Sequence, residues 1–269
     1  MKYSTPVILA MAVSCSACSM LGNNRAPTIA SLGKQPVIPD DIPVEATHRQ
    51  ATAAYREYLD TNDQTEARPQ AMRRLADINL DADPLVDSSN QEMDISKLQK
   101  QQSMDSIIIY REVLERYPDR EDNDAVLYQL SRAYDYAGEP DKSLSALARL
   151  VEQHPQSRYR VEAHFRRGEI LFVQQEYQSA EQAYRAVADA GDSTPFYRQS
   201  LYKMGWCYFK QSLFTESFDA FTGLLDLQLG ENNNAGTSRL EQLSRADRER
   251  VDDTLRAMSL GFSYESGAE

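Results

Sequence analysis

One spacing constrains this chain more than any other: small residues recur at Ser131, Gly168 and Gly205, each 37 residues after the last. Three positions later come Tyr134, Leu171 and Tyr208. Nine further on are Ser143, Ala180 and Ser217, and four beyond those Leu147, Tyr184 and Phe221. Leu127, Leu130, Ser131 and Tyr134 are spaced i, i+3, i+4, i+7, one face of a helix, and Ser143, Leu147 and Leu150 make a second such face. Between the two lies Gly138-Glu139-Pro140, a helix stop by Gly and a restart with Pro in the first turn. Antiparallel helices cross closely only where a small side chain leaves room and larger ones fill the space beside it. The repeated unit is therefore a helical hairpin, and three copies occupy 119–229.

The pattern resembles the tetratricopeptide repeat (TPR). The match includes Leu130, Tyr134, Gly138 and Pro155 in the first unit, and Gly168, Tyr177, Ala180 and Tyr184 in the second. Arg167 stands where the family has Leu, Asp192 stands where it has Pro (Pro195 follows), and the period is 37 rather than about 34. The resemblance implies an all-α, TPR-like helical-hairpin solenoid, wound as a right-handed superhelix, after a disordered N-terminal tether.

The repeat extends both ways more weakly. SIIIYREVLERYP ends at Pro118, 37 before Pro155, and reads as the second helix of a preceding unit. Residues 68–80 supply its first helix, with an acidic insertion near 81–96, and an earlier helix over roughly 45–61 carries Ala54, Tyr55 and Leu59. Residues 45–118 thus form a degenerate N-terminal region. A polar loop follows the repeats at 230–242. The segment 243–269 repeats the first-helix signature at Leu260, Gly261 and Tyr264, beginning a further, incomplete unit. A first helix without its partner leaves an apolar stripe uncovered. Either another protein covers it, or this chain is the front part of a longer one.

The N-terminus explains why two of only three cysteines fall within four residues. Met1-Lys2 is a positive start, PVILAMAV is a short apolar core, and small residues surround Cys15 and Cys18, which is the order of an export signal. It resembles a bacterial lipoprotein signal over 1–17, with Cys18 the acylated residue and Cys15 the alternative register. Neither cysteine is followed by Asp, which in that family implies the outer membrane. Several acyl chains, at about 0.8 kcal/mol per buried CH₂, hold a protein durably to a bilayer. Residues 18–44, rich in Pro and Gly, read as a flexible tether spanning roughly 25–30 Å on average.

Chemistry is sparsely represented. The formal charge is −12, from 41 acids against 29 bases, which repels nucleic-acid backbones and anionic lipid. There is no Gly-rich phosphate loop, GxSxG or HExxH. The acidic stretches from Asp81 and Asp119 lack glycine where a calcium turn needs it, at Val86 and Asp124. His48, His154 and His164 are scattered and read as structural, and Cys207 reads as a buried, inert thiol. No catalytic residue, metal, cofactor or small-molecule substrate is expected.

A second stripe on each first helix is more informative. It carries Tyr128, Arg132 and Asp135, then Phe165, Glu169 and Phe172, then Tyr202, Trp206 and Phe209. In TPR proteins these positions line the concave groove, where rings anchor a peptide and charges set its register. The same rings can instead pack between neighbouring repeats, and both readings stand for Tyr128, Phe165 and Tyr202.

The spacing of His154-Pro155-Gln156-Ser157, Ala163 and Gly168 resembles Gram-negative envelope TPR proteins. These include the TPR lipoprotein of the barrel-assembly machine and the periplasmic TPR partner of the Tol–Pal system. That resemblance implies a non-catalytic adaptor, lipid-anchored at the outer membrane and facing the periplasm, that binds other envelope proteins or peptides. The rivals are a solenoid preceding a cell-wall-acting enzyme and a purely structural spacer.

Overall fold

The computed structural model describes residues 44–82, 95–230, 240 and 242–264. The signal segment with Cys15 and Cys18, nearly all of the tether, and most of the acidic insertion and polar loop lie outside those residues. Among the described residues ten α-helices follow one another and no strand occurs. They are α1 (Val44–Thr61), α2 (Arg68–Asp81), α3 (Ile95–Arg116), α4 (Asn123–Ala137), α5 (Pro140–Gln153), α6 (Arg160–Val173), α7 (Tyr177–Ala188), α8 (Tyr197–Lys210), α9 (Phe214–Leu229) and α10 (Arg245–Tyr264). Each packs chiefly on its neighbours in sequence, the arrangement of a helical-hairpin solenoid. No described helix is long and apolar enough to cross a membrane.

The seam inside each hairpin is a size match between two positions sixteen residues apart. A Cβ on Gly168 would lie 2.5 Å from the Tyr184 ring, and one on Gly205 would strike the Phe221 ring. Both rings are fully buried, so neither can swing clear. In the first repeat the pair is Ser131 and Leu147, both fully buried: the larger seam residue faces the smaller partner. Further back, α3 carries Ser106, Tyr110 and Val113, all buried, in register with Ser143, Leu147 and Leu150. The Ser106 hydroxyl donates to the Ala76 carbonyl, as Ser217 donates to that of Gly205, so Ala76 is the seam residue of α2. The bonded residues are 30 apart in the first case and 12 in the second, which locates the insertion between α2 and α3. Tyr110 then hydrogen-bonds Asp77 at 2.6 Å.

The turn inside each hairpin closes the same way three times. Gly138 has φ +75°, its N–H reaching the Asp135 carbonyl while that of Glu139 reaches Tyr134. Gln175 (φ 65°) and Ser212 (φ 60°) occupy the equivalent positions with the equivalent bonds, Glu176 to Leu171 and Leu213 to Tyr208. This is the left-handed helix terminus that favours glycine. A side chain there costs roughly 1–2 kcal/mol, partly offset because glycine is freer in the unfolded chain. Gln175→Gly and Ser212→Gly are each expected to stabilise the protein by about 0.5–1 kcal/mol, and Gly138→Ala to destabilise it similarly, as read by thermal melting.

At the C-terminal end, Gly261 faces backwards. A Cβ there would meet the Phe218 ring of α9, so α10 sets its small residue against the preceding hairpin. Val251, Thr254, Ala257 and Gly261 form the buried stripe. Leu255, Leu260, Phe262 and Tyr264 stay exposed.

Candidate functional site

The second stripe of the first helices lines a surface that changes character along the stack. At its N-terminal end it is charged. Arg132 of α4 lies 3.5 Å from Asp81 of α2, and Arg166 of α6 reaches back to Asp135 of α4 at 4.0 Å while pairing with Glu162 at 2.9 Å. In the middle it is mixed: Glu169 accepts from the Tyr184 hydroxyl and from Lys203 of α8 at 3.1 Å, and the same ammonium sits 5.0 Å from the Phe172 ring centre. At the C-terminal end it is aromatic. Trp206 packs edge-on against Tyr202, Phe209 and Phe221; Phe209 then meets Phe214, which stacks on Tyr264. Three of these pairs, Arg132 with Asp81, Arg166 with Asp135 and Lys203 with Glu169, join first helices of successive units and so help to fix the angle between hairpins.

The first aromatic of each stripe has a structural task as well. Tyr128 stacks on Tyr159 with ring centres 4.5 Å apart, and its hydroxyl donates to Glu162 at 2.6 Å. Phe165 stacks in the same manner on Phe196 at 4.9 Å and touches Tyr184. Tyr159 and Phe196 are themselves 37 apart, the last ring before α6 and the last before α8. Packing between repeats and lining the groove thus coincide at Phe165.

One concavity gathers these groups. A cavity of about 460 Å³ between α4 and α6 is lined by Asp135, Glu162, Phe165, Arg166, Glu169 and Ile170, with Pro140, Val173, Gln174 and Phe196 completing its walls. Val173 is 81% exposed, an apolar rim residue that no repeat partner covers. Three carboxylates face one guanidinium here. Asp135 has its acidity weakened, its carboxyl held above the usual range by burial, with Arg166 opposing. Phe165 and Glu169 are therefore brought into one cavity, whereas Tyr202, Trp206 and Phe209 form a separate aromatic cluster. Phe196, Ile170 and Val173 were not evident from the stripe. A ring 31 residues after each of Tyr128 and Phe165 was the signal available for Phe196.

Cys207 sits in a packing position. Cys207 is fully buried and burial pushes its thiol up to about 12, which keeps it protonated and unreactive. Trp206, the single tryptophan, lies beside it in the half-buried cluster.

Residues 128–195 and 176–233 match the family described as Tetratricopeptide repeat. Among solved structures, a tetratricopeptide repeat protein from Parabacteroides merdae is similar with a TM-score of 0.52 and 14% identity, over 83% of this chain and 73% of that one. A set of nearly identical TPR-like repeats from Podosopora anserina is similar with a TM-score of 0.50 and 14% identity, over 73% of this chain and 90% of that one. No curated protein matches the chain in sequence.

Proposed function

From a stack that carries tetratricopeptide repeats across residues 128–233, we propose a non-catalytic adaptor that binds other proteins along the groove of its first helices. The observation that carries this reading is the open cavity at Phe165, Ile170, Val173 and Phe196, apolar in its walls and ringed by Asp135, Glu162, Arg166 and Glu169. Apolar anchoring beside charges held in place by neighbouring repeats suits an extended or helical peptide. A side chain entering the cavity gains burial against two stacked rings, and the carboxylates select what flanks it.

In this reading the adaptor is an outer-membrane lipoprotein facing the periplasm, acylated at Cys18 or, in the alternative register, at Cys15. Its partners are envelope proteins, in outer-membrane assembly, cell-envelope assembly or Tol/TonB-type coupling. The charge–apolar–small order of residues 1–17 supports the anchor. Confinement to a bilayer raises the local concentration of membrane partners, so weak groove contacts suffice. Metabolic labelling with a fatty acid checks the anchor, since Cys18→Ser removes the label if that register holds and retains it if Cys15 is used. For the groove, Val173→Glu places a charge on an exposed rim and leaves the fold intact. Recovery of crosslinked partners from cells is expected to fall about tenfold, the effect of losing one interface hot spot. Unchanged recovery would favour a spacer.

A further inference from the structure

The middle repeat departs from its neighbours at three positions that meet in one place. Where the flanking repeats have Leu127 and Leu201, it has His164; where they have Leu130 and Met204, it has Arg167; where they have Tyr134 and Tyr208, it has the smaller Leu171. In the first repeat Leu127, Leu130 and Tyr134 are all buried and fill this space. In the third, the Tyr208 hydroxyl closes it by bonding Arg185 at 2.6 Å and Glu181 at 3.0 Å. In the middle repeat a cavity of about 480 Å³ opens between α5, α6 and α7.

The polar atoms left there are unsatisfied. Arg167 Nε and His164 Nδ1 are both buried and neither meets a hydrogen-bond partner. A buried guanidinium nitrogen without an acceptor is costly, and native proteins seldom leave one so. Leu144, Ala148, Leu171 and Ala183 supply apolar wall, and Ser145, Ser179 and Gln182 supply polar edge. Burial, then Arg167 and Arg160, push the His164 imidazolium down to about 4, so the ring is neutral near pH 7. Glu152 is the acid that acts on Arg167. His164, Arg167 and Leu171 lie on the far side of α6 from Glu162, Arg166 and Glu169, since residues two apart on a helix are separated by about 200°.

We propose that this cavity is a second binding site, taking a carboxylate on an apolar stem: the carboxylate pairs with the Arg167 guanidinium beside the His164 ring while the stem lies against Leu144, Ala148 and Leu171. Arginine recognises carboxylates through its planar fork, and an apolar stem distinguishes such a ligand from inorganic phosphate. The site is independent of the groove and of the binding role given to it. The group can come from the C-terminus of a peptide or from a small carboxylic acid.

The chain has three histidines, so the imidazole signals of the ¹⁵N-labelled full-length protein report the site directly. Acetyl-leucine as the free acid, acetyl-leucine amide, hexanoate and inorganic phosphate are the probes. The His164 signal is expected to shift saturably with the free acid and not with the amide. Tighter binding of acetyl-leucine points to a peptide terminus, and tighter binding of hexanoate to a small acid. Arg167→Leu, the residue of the first repeat, is expected to abolish the shift. Leu171→Tyr keeps both nitrogenous side chains but fills the cavity as the flanking repeats do, and is expected to abolish it as well. Equal shifts with the amide, a response to phosphate alone, no response at all, or an undiminished response in either folded variant would each overturn the proposal.

Discussion

Gly168→Ser and Gly205→Ser are each expected to lower stability in urea unfolding by about 2–3 kcal/mol, the upper part of the overpacking range. The reason is geometric. A Cβ at either position enters a fully buried ring, Tyr184 or Phe221, which is held on its other sides by the hairpin and its neighbours. The same reasoning predicts a specific rescue. In the first repeat a serine occupies the seam, and it faces Leu147. Gly168→Ser combined with Tyr184→Leu therefore rebuilds a pairing that this chain already uses, and is expected to recover more than half of the loss. Each change alone destabilises, so the two are coupled, which is the signature of residues in contact. Additive losses would mean that the seam is not set by size.

Phe221→Ala is expected to have a larger effect, about 3–5 kcal/mol, because it removes a fully buried ring and leaves a cavity. The loss spreads to the surface. Phe221 supports Tyr202 and Trp206, and through Trp206 the chain of rings Phe209, Phe214 and Tyr264. Trp206 is the only tryptophan, so its fluorescence reports this cluster alone. A red shift in folded Phe221→Ala, with helical content retained, is the expected reading. An unshifted spectrum would show that Trp206 is held by other contacts.

Much of this architecture was legible in the sequence because a repeat states each packing position several times. Ser131, Gly168 and Gly205 mark the seam, and Leu147, Tyr184 and Phe221 mark what fills it, at one interval. The helical-hairpin solenoid follows from those spacings. The left-handed termini at Gln175 and Ser212 were not legible, because only Gly138 carries the residue type that signals them. The backward-facing Gly261 was hidden for another reason. A glycine in a first-helix pattern can serve either adjacent helix, and its contact with Phe218 is visible only in the packing.

The groove was legible as a stripe but not as a cavity. Tyr128 and Phe165 are equivalent by spacing, yet only Phe165 stands with Ile170 and Val173 beside an opening. Its walls come from α4, α5, α6 and the turn before α8, elements whose relative placement no single helical period encodes. His164 read as one packing residue among others. Its meaning changes once Arg167 and Leu171 are seen to depart from the flanking repeats around the same space.

If the proposed adaptor role holds, the cavity at Val173 takes up part of another protein. A photo-crosslinking residue placed at Val173, compared in intact cells with one at exposed Asp219 on α9, tests it most directly. A discrete crosslinked species from position 173, absent from position 219 and lost when Phe165 is changed to Glu in the same chain, is the predicted result. Equal crosslinking from both positions, or none from 173, would contradict it.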